Sequence, residues 1–173
     1  MTSDGVVADG AVRAAWDSYR ILENRTPEED RRQAQQRVQA AIDTYGRDQL
    51  ARGTVFLVGV LTAYIIRRQD GPQEDRLDPL SDLIPAVIRK LPGFKLADPA
   101  QVPMATGVLM AAAMGMDTVA WRDRFGTIPP PEALAHTFVL WLLADLVDSL
   151  AEQPGATDLL IQETFDSMAA DAG

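Results

Sequence analysis

Residues 104–121 read Met-Ala-Thr-Gly-Val-Leu-Met-Ala-Ala-Ala-Met-Gly-Met-Asp-Thr-Val-Ala-Trp, a stretch with almost no polar side. A surface helix keeps a charged face toward water, so a helix that is apolar all round is expected to be buried. Gly107, Ala111 and Gly115 recur every fourth residue and predict a smooth stripe against which a neighbouring helix can lie closely. Met104, Met110, Met114 and Met116 are expected as soft filler around it. The stretch therefore reads as the central helix of an all-α domain.

Two more apolar stretches behave in the same way. The run Thr54-Val55-Phe56-Leu57-Val58-Gly59-Val60-Leu61 is rich in β-branched residues, but it continues through Tyr64-Ile65-Ile66 to Arg67-Arg68. That is too long for a buried strand, and two arginines suit a helix C-terminus. After the stiff corner Pro129-Pro130-Pro131, a third apolar helix carries Leu134, Phe138 to Leu143, Leu146, Val147 and Leu150. The fold class that follows is all-α: a single-domain bundle of six or seven helices, with buried apolar helices near 53–69, 103–125 and 132–152.

The remaining segments are more ordinary. Residues 1–8 are small and polar and are expected to be disordered, leaving 9–173 as one helical domain. A helix is predicted over 10–24, with Val12, Trp16 and Tyr19 on one side. Thr26-Pro27-Glu28-Glu29 is a helix start in which Thr26 caps and Glu29 occupies the capping-box position. The helix behind it is polar to Gln39 and is expected to be solvated, its arginines paired with Glu28, Glu29 and Asp30. Gly46 ends or bends it. Asp70-Gly71-Pro72 is a stop signal, and 73–78 reads as a charged surface loop. Asp78-Pro79 opens an amphipathic helix with Leu80, Leu83, Ile84, Val87, Ile88 and Leu91 at helical spacing, which Pro85 should kink. A closing amphipathic helix is predicted over 156–170, and Gly126 is expected as a left-handed cap.

Composition removes several function classes. The 173 residues contain no cysteine and one histidine, and the formal charge is −9. Disulfides, thiolate zinc sites and cysteine nucleophiles are excluded, and a cytoplasmic address is the simplest expectation. Nucleic-acid binding needs clustered Lys and Arg, so it is not expected. No phosphate loop, dinucleotide fingerprint, nucleophile elbow or His-Glu-x-x-His occurs. Residues 1–10 lack the basic start and apolar run of a secretory signal. The apolar runs 55–66, 102–116 and 137–143 each fall short of the roughly 18–20 residues of a membrane span or are interrupted by Gly or Thr, so no membrane association is expected.

Four groups of residues could still carry chemistry. His136 sits on the side of Val139, Leu140 and Leu143 and reads as a partly buried helix residue bonded to a carbonyl. Met110, Met114, Met116, Trp121, Phe138 and Trp141 could line an apolar ligand pocket between helices. Arg122, with Asp123 and Arg124, could clamp an anion beside it, although a helix end decorated with cations looks the same. Asp145, Asp148 and Glu152 fall on one helix face, and Glu163 and Asp166 repeat the three-residue spacing on the next. Two such acidic pairs could hold Mg²⁺ or Mn²⁺ against a pyrophosphate. This layout has a loose likeness to the all-α nucleotide pyrophosphatases, which carry acidic pairs, mostly Glu, on adjacent helices. The likeness implies a metal-dependent pyrophosphohydrolase using Asp145, Asp148, Glu163 and Asp166.

The leading expectation is nevertheless a non-enzymatic helical module without a cofactor. It would associate with protein, as a homodimer that buries excess apolar surface, or hold a small apolar ligand. The pyrophosphohydrolase is the alternative, and a transcription-associated regulator lacking its own DNA-binding motif is a second.

Overall fold

A computed structural model describes residues 6–68 and 77–171. Among them the chain forms eight α-helices and no strand: α1 (Asp9–Leu22), α2 (Glu28–Tyr45), α3 (Arg47–Arg67), α4 (Ile84–Lys90), α5 (Val102–Ala113), α6 (Thr118–Asp123), α7 (Pro130–Leu150) and α8 (Ala156–Asp171). The all-α single-domain fold expected from the sequence is the one observed. One core cluster draws side chains from α1 and from α3 through α8. The solvated character of α2 also holds, with only Ala34 and Ala41 buried.

The central helix is α3, not the 103–125 stretch. α1, α2, α5, α6 and α7 all lie against it, and Val55, Leu57, Val58, Leu61 and Ile65 are fully buried. Two glycines make the approach possible. A Cβ on Gly53 would lie 2.9 Å from the carbonyl oxygen of Ala11 and 3.1 Å from the Cα of Val12, so α1 crosses α3 backbone to backbone. Gly59 in turn leaves room for Thr118 of α6, whose hydroxyl donates to the Val55 carbonyl at 3.2 Å.

The 103–125 stretch is two helices at an angle. Gly115 takes a positive φ of 72°, and the Met116 amide donates back to the Ala111 carbonyl at 2.9 Å, which closes α5 in a Schellman turn. Asp117 then caps α6 by accepting from the Val119 and Ala120 amides, both at 2.9 Å. The four methionines are therefore not a buried filling. Met110, Met114 and Met116 are exposed. The expected small-residue stripe also dissolves: Gly107 accommodates the Trp121 ring, Ala111 is core, and Gly115 is the turn.

Other boundaries differ in smaller ways. Pro27 itself is the residue preceding α2, its carbonyl accepting from Asp30 and Arg31, while Thr26 is buried and makes no cap. Gly46, with φ 83°, ends α2, and α3 begins at the next residue. Asp78 caps the next segment as expected, accepting from Leu80 and Ser81. The turn Pro79–Leu83 is widened to π-helical spacing before α4, which lets the chain pass Pro85 and its missing N–H. Gly126 is left-handed as expected. Of the expected disordered start, residues 1–5 lie outside the described residues, whereas Val7 rests against the core. The stop signal at 70–72 and most of the 73–78 loop also lie outside them.

α3 and α7 are each 21 residues long and apolar enough, by length and composition alone, to cross a bilayer. They exceed the sequence estimate because the helices extend beyond the apolar runs. In this fold they lie against each other.

The Gly53 crossing is directly testable. Alanine is a better helix former than glycine by about 1 kcal/mol, yet Gly53→Ala is expected to lower stability by about 1–3 kcal/mol in urea unfolding, because the neighbours are backbone and cannot move aside. Gly93→Ala, where a Cβ would meet nothing within 4 Å, should be neutral or slightly stabilising.

Candidate functional site

The residues singled out from the sequence are not gathered into one site. Arg122 points inward from α6 and is 2 % exposed. Its guanidinium grips the equally buried Glu132 of α7 through both carboxylate oxygens and donates to the Gly126 and Thr127 carbonyls at 2.9 and 3.3 Å. His136, one turn along, is fully buried and donates from Nε2 to the Glu132 Oε1 at 3.0 Å. The expected carbonyl partner of His136 is thus a carboxylate, and its Nδ1 has no hydrogen-bond partner. Burial pushes the Glu132 carboxyl up, but the hydrogen bonds from Arg122 and His136 outweigh it and bring the group down to about 2. Asp123 pairs with Arg52 of α3 and Arg124 is exposed. The anion clamp expected at 122–124 is therefore an internal fastening of α6 to α7 and α3.

The apolar pocket is divided as well. Trp121 lies over Gly107 with its ring 5.0 Å from Phe125. Met110 and Met114 follow Gly107 at helical spacing, so they share that outer face of α5. Phe138 and Trp141 belong to another face, where Phe94 stacks on Phe138 at 4.3 Å and meets Trp141 at 5.2 Å. The aromatic residues expected to line one pocket thus fall into two groups, Trp121 with Phe125 and Phe138 with Trp141 and Phe94.

The acidic residues also have other work. Arg25 reaches Asp145 at 3.2 Å and Asp148 at 3.4 Å. Asp148 further accepts from the Gly155 and Thr157 amides at 3.1 and 2.8 Å and from the Thr157 hydroxyl at 2.6 Å, so it caps the start of α8 from the end of α7. Burial raises its carboxyl, but the Thr157 and Gly155 donors outweigh it and hold the group low. Glu152 has left the helix, with φ 51°. Glu163 and Asp166 are exposed on α8, Asp166 accepting from Gln162 at 2.9 Å. Among the described residues no three metal-ligating side chains come together. Among the described residues the two acidic pairs are therefore not gathered into one group.

What the surface does present is a groove along α3. Phe56, Gly59, Val60, Ala63 and Arg67, which recur at helical spacing on one side of α3, line a cleft of about 520 Å³. Val60, Ala63, Tyr64, Arg67 and Arg68 line a second of about 490 Å³. Val60, Ala63 and Arg67 line both, so the two clefts adjoin along α3. Met116, Val119 and Met168 also line the first cleft, and Leu160 and Thr164 of α8 the second. Arg67 and Arg68 mark one end, and Asp9 and Asp117 contribute acid to the first cleft. Sequence reasoning read this face of α3 as core, because an uninterrupted apolar run does not say which side lacks a neighbour.

No protein-family model, no curated protein and no solved structure matches this chain.

Two carboxyls give opposite pH signatures. Glu132, lowered from 4.5 to about 2, contributes stability that is present above about 4.5 and lost as the pH falls toward 2. Glu132→Ala is expected to cost about 3–5 kcal/mol at neutral pH, because Arg122 is left buried without its partner. Glu23 lies 3.8 Å from Arg25 with its side chain only 6 % exposed. Burial pushes it up, Arg25 pulls it back in part and Asp145 adds to the rise, leaving it about 7. The folded state holds that proton more tightly, so this group reduces stability as the pH rises from 4.5 to 7. Glu23→Gln should flatten that slope in thermal melts between pH 5 and 8.

Proposed function

We propose that this protein is a binding module that accepts an amphipathic helix of a partner protein in the α3 groove. The carrying observation is the pair of adjoining clefts that share Val60, Ala63 and Arg67 along α3. The pair is apolar along its floor, open along its length, and charged at its margins.

Helix-in-groove recognition uses these features. A guest helix presents apolar side chains at i, i+3 or i+4 and i+7 to a hydrophobic floor, and its polar face stays in water. Phe56, Val60 and Tyr64 supply the floor, and each is only partly buried at present. The small side chain of Ala63 lets a guest backbone approach. Met116 and Met168 are flexible and polarizable, which suits walls that must adapt to a guest side chain. Charge sets the direction. Arg67 and Arg68 favour an acidic end of the guest, while Asp9 and Asp117 favour a basic or neutral one. Apolar burial of this kind has the right scale for a useful affinity, since each fully covered large side chain contributes about 1.5–3 kcal/mol.

The test uses a synthetic amphipathic helix with leucines at i, i+4, i+7 and i+11 and two glutamates at one end, measured by fluorescence anisotropy. Micromolar binding that Ala63→Glu weakens by about tenfold or more is the expected result. A scrambled peptide of equal composition that binds as well would sink the proposal. So would a peptide-free dimer that Ala63→Glu converts to monomer, because the groove would then belong to a second copy.

A further inference from the structure

On the other side of α8 lies a second cleft, of about 590 Å³, between α1, α2 and α8. We infer that it is a binding site for a small organic monocarboxylate with an apolar body, held by Arg13.

The charge balance of the cleft carries the argument. Three guanidinia line it, those of Arg13, Arg20 and Arg37, against two carboxylates, Asp17 and Asp158. Arg37 spends its fork on Asp17, with Nε at 2.8 Å and Nη2 at 3.0 Å. Arg20 holds Asp158 at 3.2 Å and also reaches the Arg25 carbonyl at 3.3 Å. Both acids are therefore committed, and Arg13 has no carboxylate partner among the described residues. Its one hydrogen bond runs from Nη2 to the Phe165 carbonyl at 3.1 Å. A guanidinium has five N–H donors, so most of its donor capacity remains unspent. In a chain of formal charge −9, a half-buried arginine that no acid among the described residues neutralises is a local exception.

Arg13 is also held in place. Its guanidinium lies 4.5 Å over the Phe165 ring, a contact that restrains it together with the bond to the Phe165 carbonyl. A planar, restrained fork matches a carboxylate bidentately. The surroundings define the rest of the ligand. Exposed Leu159 gives apolar surface beside the fork, joined by the small uncovered parts of Trp16 and Phe165, each 5 % exposed. One uncompensated positive charge suits one negative charge. A dianionic phosphate would carry an excess charge into a cleft that already contains two carboxylates.

The experiment is calorimetric titration of the full chain with phenylacetate, its neutral isostere phenylacetamide and inorganic phosphate. Saturable binding of phenylacetate at one site is expected, with phenylacetamide and phosphate each about tenfold weaker or more, the loss expected when a charge-assisted pair is removed. Arg13→Gln should cause the same loss. Because that variant also gives up the Phe165 contacts, Leu159→Asp provides an independent check: it places a repelling charge at an exposed position and leaves the Arg13 contacts untouched. Loss of phenylacetate binding in Leu159→Asp, with an unchanged thermal midpoint, supports the site. Equal binding of phenylacetate and phenylacetamide, no binding of phenylacetate, or full affinity in Arg13→Gln overturns it. Phosphate that competes as well as phenylacetate overturns the monocarboxylate assignment.

Discussion

The close approach of neighbours to α3 is the constraint on which the rest of the molecule depends. A helix of 21 residues with few charges must cover most of its circumference, and side-chain contact alone spaces helices about 8–10 Å apart. At Gly53 the missing side chain admits the backbone of α1, and at Gly59 it admits the Thr118 side chain of α6. The Thr118 hydroxyl then bonds the Val55 carbonyl, so even the polar start of α6 is satisfied against α3. α7 covers another side and α5 a further one. The side left over, along Phe56, Val60, Ala63 and Tyr64, is the groove. The candidate binding surface is thus the remainder of the packing problem that α3 poses.

Buried charge performs the second layer of positioning. α6 has only six residues, too few to be stable by itself, and Arg122 fastens it to α7 through Glu132, with His136 on the same carboxylate. Such a cluster costs desolvation, so its contribution lies in geometry: only one relative placement of α6 and α7 lets every member find a partner. Asp148 plays a comparable part between α7 and α8, joining the cap of α8 to Arg25 near the end of α1. α8 in consequence stands between two clefts. Leu160, Thr164 and Met168 face the α3 groove, while Leu159, Gln162 and Phe165 face the arginine cleft. A helix with ligands on both flanks would feel both, since each contributes to holding it.

The helices themselves were largely legible. The pattern at 80–91, the polyproline corner and the long apolar runs each follow from local periodicity, and α3, α4 and α7 appear where it placed them. The break at Gly115 was legible in principle, since Gly followed two residues later by Asp is a left-handed cap and then an N-cap. The apolar run around it concealed the signal. The site was much less legible. Asp145 and Asp148 have the spacing of metal ligands, but spacing along one helix says nothing of Arg25, more than a hundred residues away. Arg13 carries no local mark at all. Its significance comes from what does not stand opposite it.

From the sequence alone came the all-α fold class, the lack of thiol chemistry and the scarcity of basic clusters. These are matters of periodicity, composition and residue count, which short-range physics decides. Which helix is central, which apolar face lacks a neighbour, and which charges are already paired were settled only by tertiary structure. The physical reason is common to all three: burial and ion pairing are properties of opposing surfaces, and a single helix specifies only one of them.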